Sequence, residues 1–151
     1  GADEIRDGIN ALMKQFYTQR VRVKDGARSW LEQLHKQDVP MVIATSTDRP
    51  LVEAALEYTG LAPFFSAVFT CTEVGAGKSK PDVYEAACAF LGPPKAQTWV
   101  FEAALFAMRT AKASGFLLAA VYDASQAAQQ QEIQALCDLY IPAFSALAYP
   151  F

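Results

Sequence analysis

The apolar positions of this chain follow two rhythms that alternate along its length. Ile5, Ile9, Leu12, Met13 and Phe16 recur at helical spacing, which predicts an amphipathic helix over residues 3–19. Val21 and Val23 lead into a turn at Lys24-Asp25-Gly26. Helical spacing then returns with Trp30, Leu31 and Leu34 and ends before Pro40. Residues 41–44 (Met-Val-Ile-Ala) are a short unbroken apolar run, the pattern of a strand covered on both faces in a parallel sheet. Pro50 suits the first turn of a helix carrying Leu51, Val52, Ala55, Leu56 and Tyr58, and Gly60 stops it.

The same unit recurs. Residues 67–70 predict a strand, and Pro81 opens a helix through Val83, Tyr84, Ala87, Phe90 and Leu91 to Gly92. Residues 99–101 predict a strand, followed by a helix through Leu105, Met108 and Ala111 to Gly115. Residues 118–122 predict another strand, then a helix over about 126–139, then a short extended piece at Tyr140-Ile141. Strands alternating with helices make an α/β fold, a doubly wound, Rossmann-like parallel sheet with helices on both faces. No linker or low-complexity stretch divides it, so residues 1–151 read as one domain, and Gln129-Gln130-Gln131 is a polar helix face.

Composition narrows the function classes. A length of 151 residues and 52% hydrophobic content suffice for a sizeable core. The formal charge of −3 gives no electrostatic reason to expect nucleic acid or an acidic membrane surface. No apolar run approaches the ~20 residues of a membrane-spanning helix. Gly1-Ala2-Asp3-Glu4 is polar and acidic, with no signal peptide visible, and the leading Gly resembles a tag remnant. Cys71, Cys88 and Cys137 form no C-x-x-C or His/Cys cluster, so no zinc site is expected. Cys88 and Cys137 fall on apolar helix faces as small core residues, whereas Cys71 follows a strand, where a reactive thiol has more standing. His35, the sole histidine, sits at a helix end beside Lys36 and reads as a solvated cap contact. Reduced thiols and no export signal point to the cytoplasm.

Open α/β sheets bind ligands beyond the carboxyl ends of their strands. That edge gathers Thr45-Ser46-Thr47, the 71–78 segment, Glu102-Ala103-Ala104 and Tyr122-Asp123. Thr45 and Ser46 precede a helix, where hydroxyls and free N–H groups cradle a phosphate. Ser46, Thr47 and Asp48 suit an ordinary N-cap equally well. Lys78 lies in a loop whose Gly75 and Gly77 let the backbone approach a ligand, although a loop lysine is commonly just solvated. Glu102 ends an apolar strand, where a carboxylate costs desolvation unless it has a partner; capping the helix that starts near Ala104 is the alternative. Asp82, in a first helical turn, answers the macrodipole, and Asp123 reads as the cap of the last helix.

Order and spacing add what these residues lack singly. Ile43-Ala44-Thr45-Ser46, Lys78-Ser79-Lys80-Pro81-Asp82-Val83-Tyr84, Val100-Phe101-Glu102-Ala103 and Ala111-Lys112-Ala113-Ser114-Gly115-Phe116 follow one another as the later motifs of a known family do. Residues 23–141 resemble the core of haloacid dehalogenase-like (HAD) phosphatases, particularly the phosphoglucomutase-like branch. The 3–19 helix resembles the last helix of that family's inserted cap, leaving residues 23–151 as the core.

The resemblance implies phosphoryl transfer from phosphomonoesters. One aspartate attacks phosphorus, a second aspartate acts as acid/base, and magnesium neutralises the transferring group. By position Thr45, with Ser46 beside it, and Lys78 would hold phosphate oxygens; the Lys-x-x-Pro-Asp frame favours Lys78 over Lys80. Glu102 would neighbour the metal, at most a weak contributor, and Ala103 occupies the position of the metal-ligand aspartate. The Asp-x-Asp-Gly-Thr motif of the nucleophile appears nowhere: Asp3 and Asp7 fall on the amphipathic helix and Asp25 in a turn. The chain by itself is therefore expected to have no catalytic residues, no bound metal and no HAD phosphatase activity. Three readings follow: a degenerate or truncated phosphatase scaffold, a non-catalytic binder of phosphate or a small phosphorylated ligand, and a mis-called start with the motif encoded upstream. The motif's strand lies mid-sheet in the family, between residues 41–44 and 99–101. Its loss predicts that these flanking strands pair directly, or that a second chain, as in a homodimer, covers the defect.

Overall fold

The computed structural model of the chain describes residues 26–143. The predicted helix over 3–19, the cap resemblance it carries and Val21 to Asp25 lie outside the described residues. From Gly26 onward helix and strand alternate as the apolar rhythms predict: α1 (Ala27–Lys36), β1 (Ile43–Thr45), α2 (Arg49–Thr59), β2 (Val68–Thr70), α3 (Cys71–Val74), α4 (Asp82–Leu91), β3 (Trp99–Glu102), α5 (Leu105–Ala113), β4 (Leu117–Val121), α6 (Gln130–Leu136) and β5 (Leu139–Ile141). Gly60 ends α2 at φ 73°, a left-handed conformation that a side chain would strain.

All strand pairs are parallel, and the strands fall into two sheets, β1–β2 and β3–β4–β5. Alternate strand residues serve opposite faces. Ile43, Phe101, Ala119, Val121 and Ile141 point to one side, where they pack with Trp30, Leu31 and Leu34 of α1 and Val52, Ala55 and Leu56 of α2. Val42, Ala44 and Val100 point to the other side, against Val83, Tyr84, Ala87 and Cys88 of α4 and Ala111 of α5. Leu118 and Ala120 meet Leu105 and Met108 of α5 and Ile133 of α6. Helices on both faces explain why the strands read as unbroken apolar runs.

The direct pairing expected of residues 41–44 and 99–101 is not found among the described residues: β1 and β3 belong to different sheets. The cluster around α1 includes Ile43 on one side of the break and Phe101 on the other, with the Trp30 and Phe101 rings 4.8 Å apart. On the opposite face Tyr84 and Cys88 line a narrow cavity between Ala44 of β1 and Val100 of β3, about 20 Å³, room for one water.

Two further expectations are corrected. The predicted helix over 126–139 is two pieces: a 3-10 turn at Ala124–Gln129, broken by a non-helical Gln126, and α6. Gln126, whose backbone leaves the helical region, accepts a hydrogen bond from the Leu105 N–H at the start of α5, at 3.1 Å. Cys137 therefore lies past the helix at its C-cap, half-buried rather than core, where burial pushes its thiol pKa up. Asp138 next to it fixes the β5 edge. Its carboxylate accepts from the Leu118 N–H at 2.8 Å and from Lys112 at 2.6 Å, while its own N–H donates to Leu118 at 2.9 Å.

Burial works against the charged form of Asp138, but the bonds from Lys112 and Leu118 outweigh it and hold the carboxyl below its ordinary range. A depressed carboxyl contributes stability that is present above its unfolded value, about 4, and is lost as pH falls through the folded one. Asp138→Asn is expected to lower the urea midpoint at pH 7, with the gap to wild type closing below about pH 4. Phe101→Ala, which removes the ring bridging the two sheets, is expected to cost about 3–5 kcal/mol in a single cooperative transition followed by tryptophan fluorescence. Two separate transitions would mean that the sheets do not share a core.

Candidate functional site

The carboxyl ends of the strands bring the predicted residues to one edge in parallel register, Thr45 beside Thr70 and Glu102 beside Ala120. Both threonines are buried and both shape their own loops. The Thr45 hydroxyl accepts from the Thr47 N–H at 3.0 Å, tightening the turn after β1. The Thr70 hydroxyl accepts from the Glu73 N–H at 3.1 Å and so caps α3, a helix that the apolar spacing does not predict. Ser46 is exposed. Asp48 takes the N-cap position of α2 but makes no side-chain cap bond. Its carboxylate instead accepts from the Thr72 hydroxyl at 2.8 Å.

Arg49 completes this tie between the loops after β1 and β2. Its guanidinium donates two parallel bonds to Glu73, at 2.7 and 2.9 Å, and a third to the Val68 carbonyl. The hydrogen bonds from Arg49 hold the Glu73 carboxyl below the usual range. Gly75 ends α3 at φ 82° and turns the chain towards Lys78, where the expected glycine freedom is needed.

Lys78 is not a solvated loop lysine. It is 3% exposed, and Glu102 is fully buried at the end of β3. The Lys78 ammonium donates to Glu102 Oε2 at 3.0 Å, and the Tyr84 hydroxyl donates to the same oxygen at 2.8 Å. Glu102 Oε1 accepts from the Ala103 N–H at 3.2 Å. The ammonium also lies over the Tyr84 ring, 5.3 Å from its centre. Glu102 thus has the partner that its burial demands and does not cap α5, whose N-cap, Ala104, has no side-chain cap bond. Lys80, the competitor, is exposed.

The structure therefore gathers Lys78, Glu102 and Ala103 into one buried cluster, while Thr45 and Ser46 stand at the end of β1, across the break between the sheets. Tyr84 was read from sequence as an apolar helix position. Its place in the first turn of α4, two residues after the Asp of Lys-x-x-Pro-Asp, is the signal that could have marked it. His35 is exposed in the last turn of α1, edge-on to Phe64 at 5.5 Å. Asp82 lies in the first turn of α4, and Asp123 caps the 3-10 turn by accepting from the Ser125 N–H at 2.9 Å.

A divalent cation does not fit this donor set. Ala103 offers no side-chain ligand and both Glu102 oxygens are engaged. No group of three His, Cys, Asp or Glu side chains among the described residues could hold a metal. No described helix is long and apolar enough to cross a membrane.

The model of the haloacid dehalogenase-like hydrolases matches residues 2–115 of this chain. The chain belongs to that family. Among solved structures, a HAD hydrolase of family IA, variant 3, from Entamoeba histolytica is similar at 26% identity and TM-score 0.76, over 91% of this chain and 62% of its own. CbbY from Rhodobacter sphaeroides, crystallised with phosphate, is 23% identical at TM-score 0.76, over 91% and 60%. β-Phosphoglucomutase from Clostridium difficile is 12% identical at TM-score 0.71, over 84% and 53%. The chain thus spans less than two thirds of each of these HAD proteins. No curated protein matches it.

Removing one member of the buried pair strands a charge. Glu102→Ala is expected to cost about 3–5 kcal/mol, whereas Lys78→Met combined with Glu102→Leu should recover most of that loss, as read from urea unfolding. A double variant no more stable than Glu102→Ala would show that the pair is held by more than its own compensation.

Proposed function

We propose that this HAD chain holds a phosphoryl group at the carboxyl edge of its strands and, by itself, does not turn it over. The observation that carries the reading is the burial of Lys78 against Glu102 at that edge. An ammonium taken out of water keeps its charge where an anion gains most from it. The hydroxyls of Thr45, Ser46 and Thr47, at the entrance to α2, suit the remaining phosphoryl oxygens. The crystallisation of CbbY with phosphate, and of its D10N mutant with xylulose 1,5-bisphosphate, supports a phosphate or small phosphorylated compound as ligand.

Turnover asks for more than binding. A carboxylate nucleophile, its acid/base partner and a cation must act together, and losing one member of such a unit costs on the order of 10⁴–10⁶ in rate. Ala103 stands where the family's resemblance places a metal-ligand aspartate, and no Asp-x-Asp-Gly-Thr run occurs in the 151 residues.

Isothermal titration of the chain with inorganic phosphate is expected to show saturable binding that Lys78→Met abolishes. With a generic phosphomonoester and magnesium, turnover is expected to stay below about 0.1 s⁻¹, against the roughly 10 s⁻¹ of a typical enzyme. Saturable binding unchanged in Lys78→Met would refute the site. Turnover above that limit would refute the inactivity.

A further inference from the structure

We propose that Arg49 is a positioning residue of the anion site: its two-pronged pairing with Glu73 sets where Ser46 stands at the carboxyl edge of the strands. The proposal rests on the phosphate-holding reading above and deepens it by naming the group that places the exposed hydroxyl of the site.

Ser46 lies in a short span whose two ends are held from outside it. At one end Thr45 is buried and aligned with Thr70 in the β1–β2 ladder. At the other end α2 begins at Arg49, so only residues 46–48 separate strand from helix. The placement of the α2 entrance against β2 and α3 therefore limits the path that Ser46 can take.

Arg49 sets that placement. Its Nε donates to Glu73 Oε2 at 2.7 Å and its Nη2 to Glu73 Oε1 at 2.9 Å, while Nη2 also donates to the Val68 carbonyl of β2. One planar group thus binds the start of α2 to the sheet and to α3, and its paired bonds leave little freedom in angle. A neighbouring contact works in the same direction. Asp48 holds the N-cap position, where a carboxylate ordinarily accepts from the N–H of the second or third helical residue. Pro50, the second, has no N–H. The Asp48 carboxylate accepts instead from the Thr72 hydroxyl of α3, at 2.8 Å. Both ties end on α3, whose own start is fixed to the end of β2 by the Thr70 cap. A lysine would not replace the guanidinium. Its ammonium is a point charge and cannot hold both carboxylate oxygens and the carbonyl at fixed angles.

The test is a calorimetric phosphate titration of the full chain and its variants. Arg49→Lys keeps the charge and removes the fork. Phosphate is expected to bind it about five-fold more weakly, the scale of one part-exposed ion pair, with the near-ultraviolet circular dichroism retained. Glu73→Gln separates position from charge. A positioning role predicts weaker binding here too, because an amide cannot accept both bonds. A role limited to neutralising Glu73 predicts tighter binding once that charge is gone. A double-mutant cycle supplies the readout that a general structural role would not move: in a Ser46→Ala background the loss from Arg49→Lys should shrink below about two-fold. Equal affinity of wild type and Arg49→Lys, tighter binding in Glu73→Gln, unchanged affinity in Ser46→Ala, or an equal Arg49→Lys loss in both backgrounds would each overturn the proposal. If wild type binds phosphate and Lys78→Met abolishes that binding, any of these results defeats this inference alone. If wild type shows no saturable phosphate binding, the functional reading fails and takes this one with it.

Discussion

A carboxylate with no exposure at the end of an apolar strand constrains everything around it. Left ionised in a low-dielectric core, Glu102 would cost more than such a domain has in total stability. The fold answers by drawing Lys78 inward from a loop that would otherwise face water, and by placing the Tyr84 hydroxyl on the same carboxylate oxygen. Those two bonds tie β3 to the loop leaving α3 and to the first turn of α4. The connection from Gly75 to Pro81 therefore follows a path set by the pair. Removing the charge would relax the loop as well as the site.

A second constraint acts through packing. The sheet is divided between β1 and β3, yet the apolar cluster beneath it is continuous, because α1 rests on strands from both halves. Side-chain packing thus joins the two halves where no hydrogen-bond ladder links β1 to β3 among the described residues. Dispersion and burial are non-directional and need no main-chain register.

The elements legible in the sequence are those whose signals are local. The apolar runs of β1 to β4, the helical spacing of α1, α2, α4 and α5, and the stop at Gly60 depend on neighbours within a turn or two. The features that escaped depend on contacts between distant residues. Lys78 and Glu102 are 24 positions apart, Tyr84 and Glu102 are 18, and Gln126 meets Leu105 across 21. No periodicity within a window could announce them. The α3 cap was open to reading, since Thr70 stands three residues before Glu73 in a capping pattern, but the strand run hid it. At the site itself, sequence pointed to Glu102 needing a partner and to Lys78 as the family's phosphate lysine. That the two satisfy one another required the third dimension.

The pairing also bears on why these side chains stand together at the carboxyl edge of the strands. Binding an anion needs donors and a compensated cation, and these come from the fold, because the same groups stabilise the buried carboxylate. Catalysis needs carboxylates and a metal arranged against one another, a repulsive cluster that costs stability until the cation arrives. Ala103 adds no charge beside Glu102, and the Lys78 ammonium compensates that carboxylate. The demands of a buried carboxylate therefore account by themselves for Lys78, Tyr84 and Glu102 standing together in the core.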